Sequence, residues 1–106
     1  WLGLNSTSQS ITGDGSTSSA VDITSAVTEV NATSGAAPVT LADGANGQIK
    51  TIINVSTSGT NAVTITPSNL RGFTTATLNA PGETVTLMFK NSNWNVIASG
   101  GTVVLA

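Results

Sequence analysis

Cysteine and histidine are both absent from this chain of 106 residues. The first absence excludes disulfides, thiol nucleophiles and the usual zinc or iron–sulfur ligand sets. The second removes the side chain that most often moves protons near neutral pH. Positive charge is scarce too. Three Lys and Arg against five Asp and Glu give a net charge of −2, with no basic cluster to engage a phosphate backbone. Apolar runs reach no more than four or five residues, too short for a membrane-spanning helix. Neither a nucleic-acid nor a membrane partner is therefore expected. Charged residues make up 8% of the chain, against roughly 25% in an average soluble domain. The solvating role falls to 13 Ser, 18 Thr and 10 Asn. With four aromatics, Trp1, Phe73, Phe89 and Trp94, a core must be built from Val, Ile, Leu and Ala.

The length allows one domain. Residues 5–19 are poor in apolar side chains and rich in Ser, Thr and Gly, which predicts an extended N-terminal arm over 1–19 and a compact domain over 20–106. The chain starts at Trp1, and no basic residue precedes an apolar run in the manner of a signal peptide. From Ala20 onward the apolar period is two. Val21 and Ile23, Val27 and Val30, Val39 and Leu41, Val63 and Ile65, the apolar residues of Thr74–Leu78, Val85 to Phe89, Trp94 to Ala98, and Thr102–Leu105 all read as short strands. Gln48–Val55 is apolar on both faces at its middle and reads as a central strand. Gly, Pro, Asn and Asp punctuate these runs every 8–12 residues. The expected fold is all-β, an antiparallel sandwich or small barrel. The expected core centres on Ile49, Ile53, Val63, Ile65, Val85, Leu87, Phe89, Trp94 and Val96.

Catalytic patterns are sparse. Asp14, Asp22, Glu29, Asp43 and Glu83 are scattered, whereas a glycosidase needs two carboxylates facing each other. The run Thr12–Ser16 lacks the carboxylate density of a calcium loop. No base accompanies the many hydroxyls. No catalytic residue, cofactor or metal is therefore predicted, and the chain is read as a non-enzyme. Lys50 and Lys90 read as solvent-facing or edge charges. Arg71, the single Arg, reads as a solvated loop charge or an interface ion-pair residue. Trp94 is either a platform for a sugar ring or a core neighbour of Phe89 across a hairpin, and the scarcity of aromatics favours the core. Asn5, Asn31 and Asn54 open glycosylation sequons, which matter only in a secretory pathway.

One stretch carries more than composition. Leu41-Ala42-Asp43-Gly44 is followed by Gly47-Gln48-Ile49-Lys50. Then come Val63-Thr64-Ile65-Thr66-Pro67-Ser68-Asn69-Leu70, an Ala-Pro-Gly-Glu turn, Thr84–Phe89, and Asn93-Trp94-Asn95-Val96-Ile97. This order resembles small β-rich virion structural proteins of tailed phages, those of cyanophages and marine phages especially, over about residues 37–105. The resemblance implies a capsid decoration (cement) protein on the outer capsid surface that binds the major capsid protein. The alternative it implies is a fibre or receptor-binding domain presenting Ser56–Asn61 and Arg71–Thr74 to a host glycan. It supplies scaffold positions and no site residues.

Self-association is also expected. A small chain without disulfides gains burial by oligomerising, and a homotrimer matches the local three-fold positions of a hexagonally packed coat. The residues expected to meet a partner are Trp1, Leu2 and Leu4, apolar groups at a chain end, together with Arg71.

Overall fold

The computed structural model describes residues 8–13, 15, 17–57 and 61–106. Ten strands are formed among them: β1 (Ser8–Gly13), β2 (Ser19–Val21), β3 (Val27–Ala32), β4 (Ala37–Leu41), β5 (Ile49–Asn54), β6 (Val63–Pro67), β7 (Ala76–Leu78), β8 (Thr84–Lys90), β9 (Asn93–Gly100) and β10 (Val104–Leu105). They make two five-stranded sheets, one ordered β1-β3-β5-β8-β9 and the other β10-β7-β6-β4-β2. The fold is an all-β sandwich, not a closed barrel.

The expectation of antiparallel pairing holds for half of the strand pairs. Strands β5/β8, β8/β9, β6/β7 and β7/β10 are antiparallel. Strands β1/β3, β3/β5, β2/β4 and β4/β6 are parallel. From β1 to β6 the chain alternates between sheets at every step, so each turn lays one strand on each sheet in the manner of a short coil. The expected arm is likewise revised. Ser8–Gly13 is extended, but it is an integral edge strand whose Ile11 lies beside Val30 and is buried.

The inner faces explain the alternation. Val30, Ile52, Val85 and Leu87 from one sheet meet Val39, Leu41, Val63, Ile65 and Leu78 from the other, all fully buried or nearly so. Outward positions are mainly Thr, Ser, Asn and scattered aliphatics, with Glu29 and Lys90 among them. Of the expected core, Val63, Ile65, Val85, Leu87, Phe89 and Trp94 are buried, and Val96 packs against them. Ile49 and Ile53 are not core residues. Ile49 is 40% exposed and Ile53 is half-buried on the outer face. Strand β5 instead turns Lys50, Ile52 and Asn54 inward.

The two inward polar groups explain that choice of face. Lys50 is fully buried rather than solvent-facing. Its Nζ donates to Ser25 O at 2.7 Å and lies 3.5 Å from Asp22 Oδ1. Burial pushes the Lys50 ammonium below its ordinary value, partly offset by Asp22. Asn54 uses its full capacity of two donors and two acceptor sites. It donates to Asn61 O and Leu78 O, and its Oδ1 accepts from Ser56 N and Oγ. Because Leu78 belongs to β7, Asn54 ties one sheet to the other. The Asn54 sequon is thus buried in the folded chain.

Candidate functional site

The residues that carried the resemblance converge on Trp94. Its ring is fully buried and meets Phe89 edge-on, with centroids 5.2 Å apart and planes at 75°. This is the cross-hairpin core contact, and it overturns the sugar-platform reading. Trp94 Nε1 donates to Ala42 O at 2.9 Å. Gly44 leaves room for the ring, since a Cβ there would lie 3.0 Å from it and collide with Gln48 Oε1. Gln48 in turn accepts from Ala45 N and donates to Ile23 O. Asp43 accepts from both sides of one contact, with Asn69 Nδ2 3.0 and 2.9 Å from its two oxygens. Asn69 O then accepts from Trp94 N, while Arg71 N donates to Trp94 O. The Asp-Gly, Gly-Gln and Asn-Leu elements thus hold one indole and the chain crossing beside it.

That crossing has a consequence for Arg71. The connection after β6 belongs to one sheet, yet Leu70 forms a parallel bridge with Trp94 of the other. Arg71 is thereby set on the outer surface beside the β8–β9 hairpin. The hairpin turn is Asn91-Ser92, both with positive φ (54° and 65°), as a two-residue turn of this twist requires. Arg71 Nε donates to Asn95 Oδ1 at 2.7 Å, and Nη2 reaches Lys90 O and Asn91 O at 3.4 Å. Asn95 Nδ2 donates to Met88 O. An open concavity of about 400 Å³ lies here, lined by Arg71, Met88, Lys90, Asn91, Asn95 and Ile97. Met88 and Ile97 give its lining apolar surface, with Ile97 50% exposed.

Of the residues expected to meet a partner, Arg71 lies at this concavity, whereas Trp1, Leu2 and Leu4 fall outside the described residues. Lys90, Asn91, Asn95, Met88 and Ile97 were not singled out as partner residues. The signal for them was the outward parity of the β8–β9 hairpin, which becomes a site only once Arg71 is brought across. Asp14 and Ser16 of the Thr12–Ser16 run lie outside the described residues.

The described carboxylates sit in bonds that hold the fold. Glu83 accepts from Asn79 N at 2.8 Å and Thr102 Oγ1 at 2.9 Å, and the Asn79 amide chiefly holds its carboxyl below the ordinary value. Asp22 accepts from Ser25 N and Oγ, and that backbone bond, with Lys50 nearby, keeps it ionised to lower pH. Glu29 accepts from Ser10 Oγ. Among the described residues no three Asp, Glu, His or Cys gather as a metal-ligand group. No protein-family model matches the chain, and no curated protein matches it.

Proposed function

We propose that this is a non-enzymatic virion structural protein, a capsid decoration protein that sits on the outer capsid surface, binds the major capsid protein and assembles as a homotrimer. The observation that carries this reading is how the polar groups are used. Lys50, Asp22, Asp43, Asn54 and Glu83 are engaged in holding the sheets and their connections together. The outer faces are left mainly to Thr, Ser, Asn and isolated aliphatics, with Glu29, Arg71 and Lys90 as isolated charges. Such a surface binds through shape-matched burial and short hydrogen-bonding side chains, whose ordering costs little entropy. The resemblance of residues 37–105 to phage virion proteins supports the same reading.

The test is to add the purified full chain to particles stripped of accessory proteins. Saturable loading of many copies, imaged at the local three-fold positions, is the expected result. A few copies at a fibre or vertex would favour the receptor-binding alternative. That alternative draws on Phe73, an aromatic 43% exposed two residues from Arg71. Light scattering on the free protein checks the trimer, and a monomer at micromolar concentration would refute it.

A further inference from the structure

The chain is net negative, yet both of its cationic side chains outside the core, Arg71 and Lys90, line one concavity. The third cation, Lys50, is buried. Among the described residues the ion pair is Lys50 with Asp22, so neither Arg71 nor Lys90 has a described carboxylate within pairing distance. Unpaired positive charge beside the apolar Met88 and Ile97 suits an amphipathic anion rather than a neutral ligand.

The shape of the charge narrows the choice. Asn95 occupies the Nε edge of the guanidinium, so the side-on fork that would grip a carboxylate or a phosphate in two parallel bonds is already used. Nη1 and the Lys90 ammonium remain, and a carboxylate has two oxygens to divide between them. The lining has no aromatic ring on which a sugar face would pack. It has instead a flexible thioether and a branched aliphatic, which adapt to aliphatic side chains. Asn91 adds an amide suited to a peptide backbone, while the Asn95 amide is held by Arg71 and the Met88 carbonyl. The hairpin turn and the Arg71–Asn95 bond fix the site in advance, which lowers the ordering cost of binding.

We infer that the concavity of Arg71, Lys90, Asn91, Asn95, Met88 and Ile97 binds an Asp or Glu side chain flanked by an aliphatic residue on a protein partner. This deepens the decoration reading and rests on it only in taking that partner to be the coat.

The isolated full chain is titrated with acetyl-Leu-Glu-Leu amide, acetyl-Leu-Gln-Leu amide and glucuronate, and followed by NMR. The Asn95 side-chain amide and the Met88 and Ile97 methyls should shift with the Glu peptide at a Kd near ~1 mM. The Gln peptide should bind about tenfold more weakly, as should the Glu peptide to Arg71→Met or Lys90→Met. Added salt should weaken the Glu peptide further. Unchanged thermal midpoints establish that both variants fold. Equal shifts from the Gln peptide, no shift up to about 10 mM, or a stronger response to glucuronate would overturn the proposal. Loading onto stripped particles separates the two readings. If the wild type loads and the variants load equally well, the acidic-segment site fails while decoration stands. If the wild type does not load, decoration fails and the peptide titration alone decides the site.

Discussion

The two halves of this molecule solve the same packing problem differently. From Ser8 to Pro67 the chain coils, and its parallel neighbours are remote in sequence. Ser8 lies beside Val27 and Val27 beside Thr51, steps of 19 and 24 residues. In the other sheet Ser19, Val39 and Ile65 stand in line at steps of 20 and 26 residues. From Ala76 to Leu105 all pairings between strands are antiparallel, and β8 and β9 are joined by a two-residue turn. The coil half buries aliphatics together with Lys50, Asn54, Thr28 and Ser56. The other half holds both buried aromatics, Phe89 and Trp94. A coil of slender aliphatic strands gains specificity from buried polar bonds that work only in one register. A hairpin has its register set by the turn and is free to fill its interior with large rings.

This contrast is open to attack by mutation. The largest effect is expected in the aromatic half. Trp94→Ala should cost about 3–5 kcal/mol, read from urea unfolding, because it empties the space around which Asp43, Gly44, Asn69 and Leu70 are arranged. A cost below about 1 kcal/mol, typical of a lightly packed position, would show that these residues do not depend on the ring. In the coil half, Asn54→Ala should cost about 3 kcal/mol, since it leaves buried partners on both sheets unsatisfied. Asn54→Asp should fare little better, because a carboxylate cannot donate to Asn61 O and Leu78 O.

Lys50 gives a sharper test. Lys50→Met keeps the space filled but strands the Ser25 carbonyl, while Asp22, 37% exposed, stays hydrated, so it should cost about 1–3 kcal/mol. Lys50→Ala should lose about 2–4 kcal/mol, from the cavity and the stranded Ser25 carbonyl. If Met is as damaging as Ala, the Lys50 bond to Ser25 is itself what holds β5 in its register.

The pH dependence follows from the same groups. Asp22 and Glu83 are held below their ordinary values. The stability they contribute is complete above the unfolded carboxylate range and is lost as pH falls through their folded values. Glu83→Gln should flatten part of that acid loss in a midpoint-versus-pH series. Lys50 has the same sense, at alkaline pH. Its folded value lies below its unfolded one, so the unfolded chain binds more protons between the two and stability rises with pH across that alkaline window. Lys50→Met should abolish the rise. The smallest effect is expected on the outer face of the coil half, where Ile49→Thr should change stability by less than about 0.5 kcal/mol. A larger loss in the free chain would mean that Ile49 is covered, as a subunit contact would do.

Much of the fold was legible because its physics is local. Alternation of apolar and polar residues located the strands. The Gly, Pro and Asn clusters located the turns, and the paucity of aromatics put Trp94 against Phe89. The coil was not legible, for two reasons. Parallel strands are usually recognised as continuous apolar runs because both faces are covered. Here each sheet has one open face, so parallel strands alternate just as antiparallel ones do. The turns of the coil also differ in length, so no repeat marks them. The site was half legible for a similar reason. Arg71 stood out by its rarity, but its neighbours Lys90, Asn95 and Ile97 come from the other sheet.

Strand β5 marks the boundary between what the sequence by itself determined and what tertiary structure decided. Sequence determined that Ile49–Asn54 is a strand at the centre of a sheet, because β-branched residues at both parities leave little else. It did not determine the face. One parity offers Ile49, Thr51 and Ile53, the other Lys50, Ile52 and Asn54, and hydropathy alone turns the first inward. Tertiary structure chose the second, because Ser25, Asp22, Ser56, Asn61 and Leu78 stand where Lys50 and Asn54 can bond to them. In a strand, a side chain's face is fixed by a period of two, so satisfying those two polar groups moves every other residue with them.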